Sequence, residues 1–129
     1  MASGLPSATG DVLTASTVNG LVTFTVGSDQ TADYTAVLTD QYQVLVSMNK
    51  ATAVAFKIPT NASVAFPVGT AITILNKGAG AVTISAVTSG TTTVLSAGAV
   101  AASPTLAQYK TAVCIKTATD TWYIAGAIG

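Results

Sequence analysis

The sequence predicts an all-β chain: an antiparallel, jelly-roll-like β-sandwich preceded by a short N-terminal arm or β-hairpin. Three observations carry that expectation. Short runs rich in valine, isoleucine and threonine alternate apolar and polar residues with a period of two. Glycine, proline and asparagine punctuate those runs at the spacing of a sandwich or jelly roll. Nowhere do apolar residues keep a 3.6-residue period over three turns, so little or no helix is expected. The 129 residues suit one fold, and folding buries roughly two thirds of the unfolded surface of such a chain.

Taken in order, residues 1–10 mix Gly4, Pro6 and Gly10 with small residues and read as an extended arm. Asp11 to Val18 has a mixed pattern compatible with a first strand. Asn19-Gly20 is a tight-turn pair. It leads into Leu21 to Val26, where Val22, Phe24 and Val26 face one way and Thr23 and Thr25 the other. A hairpin across Asn19-Gly20 is expected. The polar stretch from Gly27 to Asp33 reads as a junction, which divides the chain into an N-terminal attachment arm, 1–33, and a sandwich domain, 34–129.

Within the domain, Tyr34 to Leu38 is expected as a strand ended by Thr39-Asp40-Gln41. Gln43 to Met48 follows with Val44, Val46 and Met48 inward, and Asn49-Lys50-Ala51 turns the chain. Ala53 to Ile58 places Val54, Phe56 and Ile58 on one face and Lys57 on the other. Pro59-Thr60-Asn61 is a turn. The most regular stretch is Asn61 to Val87, read as a β-hairpin. Thr70 to Leu75 is its outgoing strand, Asn76-Lys77-Gly78-Ala79-Gly80 its turn, and Val82 to Ala86 its return. Gly90 to Leu95 is a further strand. Ser96 to Ser103 is a small-residue loop, or a helical turn limited by Gly98 and Pro104. Tyr109 to Lys116 and Thr121 to Ala125 close the domain as a hairpin around Ala118-Thr119-Asp120.

Composition then narrows function. Only 8% of residues are charged, and five lysines balance five aspartates to a net charge of zero. The usual charged share is about 25%. Such a chain has no field to steer it towards nucleic acid or an anionic membrane, and little repulsion against self-association. Arginine, glutamate and histidine are absent. Without histidine no Ser-His-Asp or Cys-His arrangement exists, and no lysine falls in a Ser-Lys motif. Asp29 and Asp33 are the nearest thing to a hydrolytic pair, or with Gln30 to a calcium site, but solvated loop aspartates account for them. No catalytic, cofactor or metal residue is therefore assigned. Gly78-Ala79-Gly80 lacks the following Lys-Ser/Thr of a phosphate loop. Asn61-Ala62-Ser63 is a glycosylation sequon, meaningful only in a secreted eukaryotic protein. Cys114 has no partner for a disulfide and reads as a small buried hydrophobe. Trp122 and Tyr123 could stack on a sugar or base, but a closing strand wants Trp122 in the core and Tyr123 at its rim. The opening residues carry no basic segment followed by an apolar one, so no export signal is expected, and no apolar run approaches the ~18–20 residues of a spanning helix.

The stretches MNKATAVAFKIP, NASVAFPVGTAITILNKGAGAVTISA and TDTWYIAG together resemble a small β-rich module of tailed-bacteriophage structural proteins. The likeness runs from Tyr34 to Gly129 and is best at SVAFPVGT. It departs in the Ala- and Thr-rich segment Thr91 to Ala107 and does not reach the first 33 residues. The resemblance implies a non-enzymatic virion protein, a capsid decoration or knob protein assembled in the bacterial cytoplasm. It further implies a homo-oligomer, with a trimer favoured, bound to the major capsid or another virion protein. The alternative it leaves open is a tail-fibre or baseplate tip that binds a host glycan or receptor. Tyr34, Tyr42, Tyr109 and Tyr123 gathered around one groove would favour that alternative.

Overall fold

The computed structural model describes residues 23–96 and 103–128. These residues form an all-β sandwich of two mixed sheets. The strands are β1 (Thr25–Gln30), β2 (Tyr34–Thr35), β3 (Val44–Met48), β4 (Val54–Ile58), β5 (Ala71–Asn76), β6 (Val82–Ala86), β7 (Thr93–Ser96), β8 (Thr105–Leu106), β9 (Thr111–Ala118) and β10 (Thr121–Gly126). A six-stranded sheet has the order β1-β3-β5-β9-β10-β7, and a four-stranded sheet the order β2-β4-β6-β8.

The pairing departs from the antiparallel, jelly-roll-like expectation. Strands β1, β3 and β5 run parallel in one sheet, and β2, β4 and β6 run parallel in the other. The chain alternates between the sheets, so each coil lays one strand in each layer. The stretch Asn61 to Val87 is accordingly not a hairpin: β5 and β6 lie in different sheets, joined by an arch over residues 77–81. The reason lies in where the backbone groups find partners. Lys77 N donates to Met48 O (2.7 Å) and Gly80 N to Lys50 O (2.9 Å), while Val54 N donates to Ala81 O (3.1 Å). The arch bonds to the preceding arch, residues 49–53, instead of to itself. Register follows: Leu45 lies opposite Thr73, Met48 opposite Asn76, Val54 opposite Val82 and Ile58 opposite Ala86, the same offset in both sheets. Stacking this close leaves no room for side chains at two points. A Cβ on Gly80 would overlap the Thr52 carbonyl, and one on Gly78 the backbone of Lys50.

Other elements shift more modestly. Tyr34 to Leu38 gives only the two-residue β2, after which Leu38–Gln41 forms a 3-10 turn. Asp40, buried, caps the start of that turn by accepting from Val37 N (2.9 Å), and it also accepts from the Tyr34 hydroxyl (2.7 Å). The supposed junction from Gly27 is strand through Gln30, because β1 finds a parallel partner in β3. The six-stranded sheet thus takes strands from both sides of the 33/34 boundary. The hairpin across Asn19-Gly20 and most of the Ser96 to Ser103 loop lie outside the described residues. The closing hairpin is present as β9 and β10, antiparallel from Ala118 and Thr121 onward.

The core lies between the layers. Val54, Phe56 and Ile58 from β4 and Val82 and Ile84 from β6 face Met48, Ile72, Ile74, Cys114, Trp122 and Ile124 of the larger sheet, all buried. Each such side chain contributes roughly 1.5–3 kcal/mol through its burial. Phe66, from the loop between β4 and β5, packs edge-on against Trp122 with ring centroids 5.5 Å apart. A fully buried polar side chain, Asn76, sits in this interior. Asn76 Nδ2 donates to Gly80 O (2.9 Å) and Leu106 O (2.8 Å), and its Oδ1 accepts from Gly78 N (3.0 Å). It ties the arch to β8.

Candidate interaction surface

The inward residues of the larger sheet fix what points outward, because side chains alternate across a strand. Register places Val26, Leu45, Thr73, Val113 and Ala125 in one outward row. A second row holds Ala71, Ile115, Tyr123 and Leu95. A third contains Asp29, Ser47, Leu75 and Thr111. Asp29 is the sole carboxylate in these rows. Val26, Tyr123 and Ile115 are exposed at 64%, 49% and 37%, well above what a closed core face allows. At the start of β1 and β5 an open hollow of about 490 Å³ adjoins this face, lined by Phe24, Gln41, Gln43, Pro67, Val68 and Thr70 among others.

Asp29 sits at one end of the face in a compact polar cluster. Lys77 Nζ lies 2.7 Å from its Oδ1. Ser47 Oγ donates to Oδ1 (2.9 Å) and Asn49 Nδ2 to Oδ2 (3.0 Å). The Lys77 ammonium first, then Asn49 and Ser47, hold the carboxyl down from its ordinary 3.8 to about 2. A carboxyl depressed in the folded chain contributes stability above its ordinary value and loses it as pH falls through the folded one. Lowering pH from about 4 to about 2 should therefore weaken the β1 edge, read as lower amide protection in Thr25–Gln30 relative to the intrinsic exchange at each pH. Lys77→Ala should move the Asp29 titration midpoint, followed by NMR, back towards 3.8; an unchanged midpoint would remove the ion pair as its cause.

Asp33 is engaged separately. It accepts from Ala55 N (2.9 Å) and lies 3.8 Å from Lys57 Nζ. Asp29 and Asp33 therefore face different lysines and do not share a cleft. Among the described residues, no group of three or more metal-ligating side chains converges. Cys114 is buried, and burial pushes its thiol far above the ordinary range, which leaves it a poor nucleophile.

The four tyrosines are not gathered around one groove. Tyr34 packs on Phe56 (5.9 Å), and burial, then its bond to Asp40, raises its phenol above the usual value. Tyr42 precedes β3, whereas Tyr109 N binds Asn76 O at the far end of the parallel strand β5. Tyr123 lies to one side of both, on the outward face of β10, in the row of Ile115 and Ala71.

No family model, curated protein or solved structure matches the chain. What it does must be argued from its own surface. The signal for that surface was in the sequence: alternation in Thr111 to Ile115 and Thr121 to Ala125 leaves apolar or hydroxyl residues on the side away from the core as well as on the side facing it.

Proposed function

We propose that this chain is a non-enzymatic structural protein of a phage virion. In that role it is a capsid decoration or knob protein that self-associates and attaches through its N-terminal arm. The observation that carries the assembly part is the outward face of the six-stranded sheet. Its rows are apolar or hydroxylated, and its one carboxylate is neutralised by Lys77. An uncharged face of this breadth costs little to dehydrate and offers no ion pairs to align, which favours docking by shape and apolar contact. Its placement on a phage particle rests on the resemblance of the sequence.

Magnitudes say what else such an assembly needs. Six strands at ~4.8 Å spacing and about five residues at ~3.3 Å rise make a face of roughly 400–500 Å². A stable interface takes about 800 Å² from each partner. The face alone falls short, so the arm supplies the remainder, by strand or arm addition to a neighbour.

Light scattering on the purified full chain tests this reading. The wild type is expected as an oligomer, with a trimer favoured. The double substitution Ile115→Lys and Tyr123→Glu sets opposite charges directly across β9 and β10. That leaves the sandwich near its original stability, but docking must now bury two charges. The variant is expected to run as a folded monomer. A wild-type monomer at high concentration would sink the proposal.

A further inference from the structure

The interior holds one cation with an unusual set of neighbours. Period-two alternation along β9 puts Lys116 inward with Ala112 and Cys114, and register sets it opposite Trp122. It is only 2% exposed. Its Nζ donates to Asn61 Oδ1 at 2.6 Å and to Phe66 O at 2.7 Å. Among the described residues no carboxylate lies within ion-pair distance of it. Burying an ammonium against neutral acceptors alone is costly, because nothing cancels its charge.

The partner is chemically special. Asn61 carries a carboxamide, an acyl group with a nitrogen leaving group, and it comes from the loop between β4 and β5. That loop is held firmly. Asn61 N donates to Asp120 Oδ1 (2.7 Å), which also accepts from Thr92 Oγ1 (3.1 Å). Phe66 is wedged on Trp122, and Lys116 exchanges backbone bonds with Gly69 (2.7 Å) and Thr70 (2.9 Å). A C=O bond of ~1.2 Å separates Oδ1 from Cγ, so Nζ lies no more than about 3.8 Å from that carbon. An amine fixed so close to an amide carbon in a dry, preorganised site is the arrangement that turns a slow bimolecular aminolysis into an intramolecular one.

We propose that Lys116 and Asn61 join in an isopeptide bond. Nζ first passes one proton along its 2.6 Å hydrogen bond to Asn61 Oδ1, and the lone pair this frees adds to Cγ as the Cγ–Nδ2 bond breaks. Two of the three Nζ protons pass to Nδ2, and ammonium departs, carrying the charge out through the half-exposed side of Asn61. The product is a secondary amide whose remaining N–H keeps the hydrogen bond to Phe66 O. The reaction needs no oxidant and no cofactor. It replaces a buried charge by a neutral, bonded amide, and it staples the β4–β5 loop to β9. Asp120 acts as a positioning residue, holding the Asn61 backbone where the carboxamide meets the amine.

Intact-mass spectrometry of the purified full chain in denaturant decides it. The wild type is expected to be lighter than its sequence mass by one ammonia, after allowance for the initiator methionine. Proteolysis should release a branched peptide containing both Asn61 and Lys116. Asn61→Ala, a change at a half-exposed loop position, should restore the full sequence mass and lower the melting temperature. Lys116→Arg should also restore it. Folded wild-type protein with the full sequence mass, or an ammonia loss that persists in Asn61→Ala, would overturn the proposal.

Discussion

Gly80→Ala is expected to destabilise the chain by about 3 kcal/mol or more, the range of a severe overpacking or backbone clash. The cause is the stacking of arches. The new methyl would overlap the Thr52 carbonyl and crowd the Ala53 amide, and both are backbone atoms fixed by the bonds Gly80 N to Lys50 O and Val54 N to Ala81 O. They cannot swing aside as a flexible side chain would. Relief requires the two coils to separate, which stretches the parallel register in both sheets at once. In thermal unfolding this corresponds to a fall of roughly 10 °C or more. Gly90→Ala is the matched control. A Cβ there meets nothing within 4 Å, so the change should be neutral or stabilising by up to about 1 kcal/mol through the unfolded chain. The contrast also separates two topologies. If residues 76–80 formed the turn of a hairpin in one sheet, no second arch would stand over Gly80, and the two alanine variants would behave alike.

That contrast marks where the sequence stopped being informative. Alternation fixed the inward faces of Val54-Phe56-Ile58 and Val82-Ile84 because burial of one face is a property of a strand by itself. The β9–β10 hairpin was equally plain, since Ala118-Thr119-Asp120 is short and Asp120 accepts the positive φ of 58° that the reversal demands. Partner choice is different. A hairpin and an arch present the same period-two pattern, and only the destination of the turn's amides distinguishes them. One signal did exist. Met48-Asn49-Lys50-Ala51 leading to Ala53-Val54 is echoed by Leu75-Asn76-Lys77-Gly78 leading to Ala81-Val82, the kind of internal repeat that stacked coils produce. Even so, the echo misleads by one residue. Asn76 lies level with Met48 and is buried, whereas Asn49 is outside the core and bonds Asp29. Lys116 was legible too, as the lysine on the face that Ala112 and Cys114 share. Its neighbour Asn61 was not, because 55 residues separate them and no local pattern reports such a contact.

Asn76→Leu is expected to cost roughly 3–6 kcal/mol although the side chains are similar in size. The core gains apolar surface, but three backbone groups lose their partner together: Gly80 O, Leu106 O and Gly78 N. Each buried group left unpaired costs about 1–3 kcal/mol, and Asn76 is fully buried, so water cannot substitute. The effect should be directional as well as large. Among the described residues, Leu106 belongs to β8, a two-residue strand at the end of its sheet that pairs with β6 and bridges to Ile128. Without the Asn76 amide, amide exchange should rise first in β8 and in residues 77–81, while β9 and β10 keep their mutual protection. Asn76→Asp should preserve the Gly78 N acceptor but lose both donors and face two carbonyl oxygens with a carboxyl, so it should be no more stable than the leucine variant. A loss below about 1 kcal/mol in Asn76→Leu would mean that the arch is held by its stacking alone. In that case Gly80→Ala would still unfold the chain, and the two measurements together assign the stability of the arch either to its backbone contacts or to its one buried amide.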